Sequence, residues 1–175
     1  MSAPGAHDPG VRVGTGYDVH RADPERPLVL CGVELPDAPF GLAGHSDADA
    51  PLHALGDACL GALALGDIGT HFPDDDPAWA GSDSKDLLRR IVAMLTSRGW
   101  GVVNADVTII AQRPRLAPRI REMRVTLAEV IDCPEERVSV KATTHEGLGP
   151  LGRGEGIAAH AAVLLARTRR GRTEG

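Results

Sequence analysis

Asp18 and His20 stand two residues apart in the stretch "GTGYDVHRAD", at the end of a short apolar run. Alternate side chains of a strand share a face, so the two would project side by side, roughly 6–7 Å apart along the chain. A carboxylate and an imidazole on one face can ligate a metal, or they can be a capping aspartate and a solvent-facing histidine. Spacing alone favours the second reading. Further on, His53 and Asp57 lie four residues apart in "PLHALGDACL", which puts them on one face of a helix. A lone helical histidine is more often a packed or surface residue than a ligand. One carboxylate and two imidazoles together, however, make a three-ligand set of the type that leaves a fourth tetrahedral zinc position open. Asp57 could then orient an imidazole from behind.

Other stretches suit phosphate. His45 and Ser46 in "AGHSDADA" precede a predicted helix start, where free backbone N–H groups and the helix dipole attract anions. Ser46, Asp47 and Asp49 are equally ordinary capping residues. "KATTHEGLG" gathers Lys141, Thr143, Thr144, His145 and Glu146 after a predicted strand. Lysine and hydroxyls fit phosphate oxygens, and Glu146 is a hard oxygen ligand for Mg²⁺ bridging two phosphates. A plain strand end and turn would use the same residue types. "GDIGTHFPDDDP" reads as an acidic loop whose aspartates bond their own backbone. Such a loop repels a polyanion, so it would meet only the hydroxylated or apolar part of one, or act through backbone groups. In "GRGEGIA", Arg153 could grip a phosphate bidentately or pair with Glu155.

The elements that must position these residues alternate. Val11 to Asp18 reads as a strand, and Leu28 to Leu35 as a second extended stretch with a turn or bulge at Gly32. Asp49 to Leu65 carries Leu52, Leu55, Cys59, Ala62 and Leu63 near a 3.6 spacing, with Asp47 or Asp49 as N-cap, Pro51 in the first turn and Gly66 as stop. A second helix, Ser84 to Arg98, turns Leu87, Leu88, Ile91 and Leu95 inward and ends at Gly99. Val102 to Ala111 is a predicted strand, Ile120 to Ile131 a helix and Val138 to Ala142 a strand. Gly156 to Ala166 reads as a final strand, although its alanine content also permits a helix. Strands alternating with helices imply an α/β or α+β fold, a single-layer mixed β-sheet with helices packed on one face.

Composition narrows the partners. The chain has 175 residues and a net charge of −5, which argues for one domain and against nucleic acid or an anionic membrane. Its three cysteines, Cys31, Cys59 and Cys133, are far apart and unpaired by any C-x-x-C, as in a reduced cytoplasmic protein. No apolar stretch reaches 18 residues, and the N-terminus lacks the apolar core of a signal peptide. Residues 1–10 read as a flexible leader, 11–167 as the domain, and 168–175 as a basic tail. With only Tyr17, Phe40, Phe72, Trp79 and Trp100 as aromatics, the core must come from Ala, Val, Leu and Ile.

Taken in order, "GTGYDVH", "AGHSDADAPLHALGDACLGALALGDIGTHFPDDDP", "NADVTIIAQRPRLAP", "VKATTHEGLG" and "GRGEGIA" form a highly specific succession. From about Arg12 to Leu165 it resembles the 2-C-methyl-D-erythritol 2,4-cyclodiphosphate synthase family, of the non-mevalonate route to isoprenoid precursors. The resemblance implies a homotrimer around a β-rich core with one active site at each subunit interface, holding Zn²⁺ and Mg²⁺ or Mn²⁺. It matches Asp18, His20 and His53 to zinc ligands and Glu146 to the ligand of the second metal. His45 and Thr144 match residues credited with stabilising the transition state. The cytidine pocket would comprise Ala111, Gln112, Arg113, Pro114, Arg115, Leu116 and Ala117 with Thr143 and Thr144. Asp67, Ile68 and Gly69, with Phe72, Pro73, Asp74, Asp75 and Asp76, match segments touching the methylerythritol portion. Pro150 stands where an aromatic is expected, and Gly147 where a larger residue is common. Arg153 and Glu155 match the mouth of a central channel that takes isoprenoid diphosphates.

The implied reaction suits this residue inventory. The 2-phosphate of 4-diphosphocytidyl-2-C-methyl-D-erythritol 2-phosphate attacks the β-phosphorus and expels CMP, closing an eight-membered ring. That nucleophile is already anionic, so no general base or serine or cysteine nucleophile is required. The obstacles are phosphate–phosphate repulsion and in-line alignment, which divalent cations address. A non-catalytic isoprenoid-diphosphate-binding protein and a metal-dependent phosphohydrolase are the alternatives.

Overall fold

A computed structural model describes residues 9–44, 46–73 and 81–168. Strand β1 (Val11–Asp23) continues past Asp18, so Asp18 and His20 lie inside a strand and not at a capped end. The strands that follow are β2 (Val29–Leu30), β3 (Val33–Glu34), β4 (Gly41–Leu42), β5 (Trp100–Ile110), β6 (Val138–Thr143) and β7 (Gly156–Arg167). The helices are α1 (Ala50–Ala62), α2 (Ile68–His71), α3 (Ser84–Ser97), α4 (Ile120–Val130) and α5 (Gly149–Gly152). The main sheet has the order β4-β1-β7-β5-β6, and β2 and β3 form a separate hairpin. All pairings in the main sheet are antiparallel except β5 with β6. The fold is thus mixed α/β with a mostly antiparallel central sheet, in keeping with the expected class.

The alanine-rich C-terminal segment is a strand because both its edges are paired, to β1 on one side and β5 on the other. Its alanines then serve packing. Helix α1 lies across β1 and β7, and Ala159 and Ala161 are fully buried on that side. Opposite Ala161 in the register stands Gly16, and opposite Val163 stands Gly14. A Cβ on Gly16 would sit 2.0 Å from the Ala54 carbonyl oxygen, and one on Gly14 would sit 1.9 Å from that of Ala58. The two glycines therefore let the helix backbone touch the strand. Asp18 and His20 continue the same face by strand alternation.

Helix α1 starts where Asp49 accepts the N–H of Leu52, with Pro51 in the first turn, as expected. It ends at Ala62, earlier than Leu65, and Ala64 at φ 55° turns the chain away. Asp49 is wholly buried. Its carboxylate also accepts from Cys31 N at 2.9 Å and Gly32 N at 2.6 Å, tying the β2–β3 turn onto the helix start. The predicted inward residues of α3, Leu87, Leu88, Ile91 and Leu95, are all buried. Helix α4 packs on β6 and buries Met123 and Leu127. The three cysteines are free and buried.

The helices cover one face of the sheet. On the other, Val11, Val13, Tyr17 and Val19 of β1 are exposed, Val13 at 69%. Among the described residues no helix is long and apolar enough to cross a membrane.

Candidate metal centre and substrate pockets

Two elements, β1 with Asp18 and His20 and α1 with His53, aim three ligand atoms at one point. Asp18 Oδ2 lies 2.9 Å from His20 Nε2 and 3.1 Å from His53 Nδ1, and the two ring nitrogens are 3.2 Å apart. The imidazoles meet edge-on at 65°. His20 Nδ1–H donates to the Ala43 carbonyl at 2.9 Å, so its Nε2 lone pair is free to face the cluster. The loop that supplies this carbonyl is held by Arg26, whose guanidinium donates to the carbonyls of Gly44 and Ser46.

The donor set fits a metal ion. Ligand atoms around a tetrahedral zinc stand roughly 3.3 Å apart, given bonds of ~2.0–2.1 Å, and two nitrogens with one carboxylate oxygen leave a fourth position open. Asp18, His20 and His53 also form the only His/Cys/Asp/Glu group of this kind among the described residues.

Electrostatics are correspondingly strained toward charge pairing. Burial works against an ionised Asp18, but hydrogen bonds and charge from His20 and His53 outweigh it and hold the carboxyl well below its usual range. Burial likewise opposes a charged His53. The hydrogen bond and charge of Asp18, with Asp49 and Asp47 beyond, nonetheless raise its pKa.

The cluster opens into a cavity of about 330 Å³ lined by Asp18, His20, Gly44, Ser46, His53, Asp57, Ile68, Gly69, Phe72 and Leu87. Expected contact residues Ser46, Ile68, Gly69 and Phe72 therefore do share the cavity with the ligand set. Asp67 does not line it: its side chain caps α2 by accepting the N–H and the hydroxyl of Thr70. Pro73 is exposed beside the cavity. His45 and Asp74, Asp75 and Asp76 lie outside the described residues.

Asp57 needs correction as the residue behind an imidazole. It borders the cavity, but its Oδ1 accepts the Ile68 N–H at 2.8 Å, anchoring the loop after α1. The outward nitrogen of His53 meets other groups: Ser84 Oγ at 2.9 Å and Ser46 Oγ at 3.3 Å. Ser84, at the start of α3, and Asp47, which bonds it, were singled out by no motif. Their only local signal is the capping chemistry that Ser and Asp carry at any helix start.

A second cavity, about 270 Å³, lies at the C-terminal ends of β5 and β6. Ala111, Gln112, Pro114, Arg115, Leu116 and Ala117 line it with Ala142, Thr143 and Thr144, the segment expected for cytidine save one residue. Arg113 turns away, its guanidinium 5.8 Å from the Phe40 ring centre. Beside this cavity the Thr144 hydroxyl donates to Glu146 Oε1 at 3.3 Å, and Glu146 is exposed at φ 51°. Pro150 is exposed in α5. Arg153 and Lys141 are engaged with carboxylates, to Glu155 and Asp106, both at 2.6 Å. Asp18 and Ala142 belong to the same end of the sheet, through Ala159 and Ile109. They stand three strands apart, roughly 14 Å at ordinary spacing, so within one chain the two cavities are separate.

Comparison with known proteins matches this arrangement. The YgbB family profile covers residues 11–166. The 2-C-methyl-D-erythritol 2,4-cyclodiphosphate synthase of Symbiobacterium thermophilum is 57% identical over 88% of this chain and 98% of its own. Among solved structures, the bifunctional IspDF from Campylobacter jejuni superposes with a TM-score of 0.85 at 40% identity, over 90% of this chain and 42% of that longer one. A CDP complex of IspF from Plasmodium falciparum superposes at 0.80 with 32% identity, over 93% of this chain and all of that one. The extent of the profile and the identity over nearly the full length of the synthase place this chain in the YgbB family.

Proposed function

We propose that the chain is a metal-dependent cyclase that converts 4-diphosphocytidyl-2-C-methyl-D-erythritol 2-phosphate to 2-C-methyl-D-erythritol 2,4-cyclodiphosphate and releases CMP. The observation that carries this reading is the convergence of Asp18, His20 and His53 at the mouth of a cavity with an apolar wall. The CDP seen in similar proteins supports a cytidine diphosphate in the second cavity.

Asp18, His20 and His53 would hold zinc, and Glu146 would hold Mg²⁺ or Mn²⁺ together with substrate phosphates. When bound, these cations supply Lewis acidity and screen the repulsion between the reacting phosphates. The protein's own part is alignment. Ile68, Gly69, Phe72 and Leu87 offer the methylerythritol portion a wall without competing charge. The loop from Ala111 to Ala117 and the threonines after β6 hold the cytidine end. His45 and Thr144 stabilise charge building on the transferred phosphoryl group. The 2-phosphate oxygen forms a bond to the β-phosphorus while the bond from that phosphorus to the CMP oxygen breaks. No proton need be abstracted.

Two half-sites three strands apart at one end of the sheet would combine into one site between copies of the chain. We therefore read the protein as a homotrimer, with the exposed apolar face of β1 turned to its neighbours and isoprenoid diphosphate as a candidate occupant of the central channel.

Incubating the protein with the substrate, zinc and magnesium, followed by ³¹P NMR and nucleotide chromatography, tests the reading. CMP and the cyclic diphosphate should appear together. Release of inorganic phosphate would identify a phosphohydrolase, and tight binding without turnover a binding protein.

A further inference from the structure

Asp47, Ser84 and His53 form a hydrogen-bonded chain that ends at the metal cluster. Ser84 is 1% exposed, and its backbone N–H donates to Asp47 Oδ2 at 3.1 Å while its hydroxyl donates to Asp47 Oδ1. The same hydroxyl oxygen lies 2.9 Å from His53 Nε2. A hydroxyl has one proton and a carboxylate only accepts. With the Ser84 proton committed to Asp47, the short contact to Nε2 is attractive only when Nε2 carries the hydrogen. Ser46 Oγ, 3.3 Å from the same nitrogen, already accepts the Ala48 N–H and has a second lone pair for Nε2–H.

We infer that Ser84 and Asp47 are positioning residues that hold a hydrogen on His53 Nε2, which leaves Nδ1, paired with Asp18 in the metal-free chain, as the nitrogen that a metal ion takes. This rests on reading the cluster as a metal centre. His20 is set the opposite way round, with hydrogen on Nδ1 and its lone pair on Nε2, by the Ala43 carbonyl. The two imidazoles thus reach one point through different nitrogens, each chosen by what lies behind it. Partners behind a ligating histidine typically change metal affinity 10–100-fold when removed. Asp57, one helical turn from His53, has no part in this, being bonded to Ile68.

The test uses full-length protein labelled with ¹⁵N-histidine. Long-range ¹H–¹⁵N spectra of the wild type should show His53 protonated at Nε2, with and without zinc, and zinc on its Nδ1. Zinc affinity, measured against a chromogenic chelator, should fall about 10–100-fold in Ser84→Ala. Asp47→Asn offers an amide N–H to the Ser84 oxygen, which frees the hydroxyl to donate to His53. It should weaken zinc binding and shift the zinc-free ring toward Nδ1–H. Ser84→Thr keeps the hydroxyl and should retain Nε2–H. A wild-type ring lacking hydrogen on Nε2 overturns the inference, as do variants that melt earlier yet keep both tautomer and zinc affinity. A wild type that takes up no zinc sinks the metal-centre reading instead, and the zinc-free spectra still decide whether Nε2 carries a hydrogen.

Discussion

His53 Nδ1 stands 3.1 Å from Asp18 Oδ2, joining the second turn of α1 to the middle of β1 across 35 residues of sequence. This contact exists because Gly14 and Gly16 let the helix lie directly on the strand. The site is therefore only as well formed as that seam.

Gly16→Ala tests the seam. Its new methyl would collide with the Ala54 carbonyl of α1, and overpacking of this severity costs about 3 kcal/mol or more. The urea midpoint should fall accordingly, and zinc affinity should fall with it, because the strand and helix ligands are pushed apart. Unchanged affinity would show that the seam does not set the ligand geometry.

His53→Ala should leave a folded chain. Metal analysis after dialysis should find about one zinc per chain in the wild type and little in the variant. Full zinc content in the variant would remove His53 from the ligand set.

Asp49→Ala removes a helix cap and strands the buried N–H groups of Cys31 and Gly32. A loss of about 3 kcal/mol or more is expected in denaturant titration. Because the Asp49 side chain bonds Cys31, Gly32 and Leu52 and none of the ligand side chains, residual folded protein should still bind zinc.

The charge pair at the cluster gives the metal-free chain a pH signature. Asp18's pKa is lowered on folding, so its contribution is present above its ordinary value of 3.8 and fades as acid approaches the depressed value. His53's pKa is raised, so its contribution is full below 6.5 and is lost as pH rises through the folded value. With chelator present, the stability difference between wild type and His53→Ala should be largest between about pH 4 and 6.5. Zinc competes with these protons, so its stabilising effect, read as the rise in Tm, should grow above that window. A flat profile in chelator would contradict the pairing.

Mixing inactive variants tests the shared site. His53→Ala and Glu146→Gln damage different half-sites, and co-expressed chains should regain about a quarter of wild-type activity if each site draws one half from each neighbour in a trimer. No recovery in verified mixed oligomers would place both halves in one chain.

The sequence alone determined the family, the helix and strand faces, and the chemical character of the ligands. Spacing of 3.6 put Leu87, Leu88, Ile91 and Leu95 inward, and alternation put Asp18 and His20 on one face, because these patterns are local. Tertiary structure decided what meets what. Asp57 shares a helix face with His53, yet Ser84 stands behind the imidazole, since α3 packs against α1 and no periodicity records which helix will do so. The alanine-rich end became a strand only when β1 and β5 paired with both its edges. Arg113 left its predicted pocket for the ring of Phe40, a residue far off in sequence. Patterns along a chain report faces and caps; the partner across each face is chosen by packing, which joins residues that the sequence keeps apart.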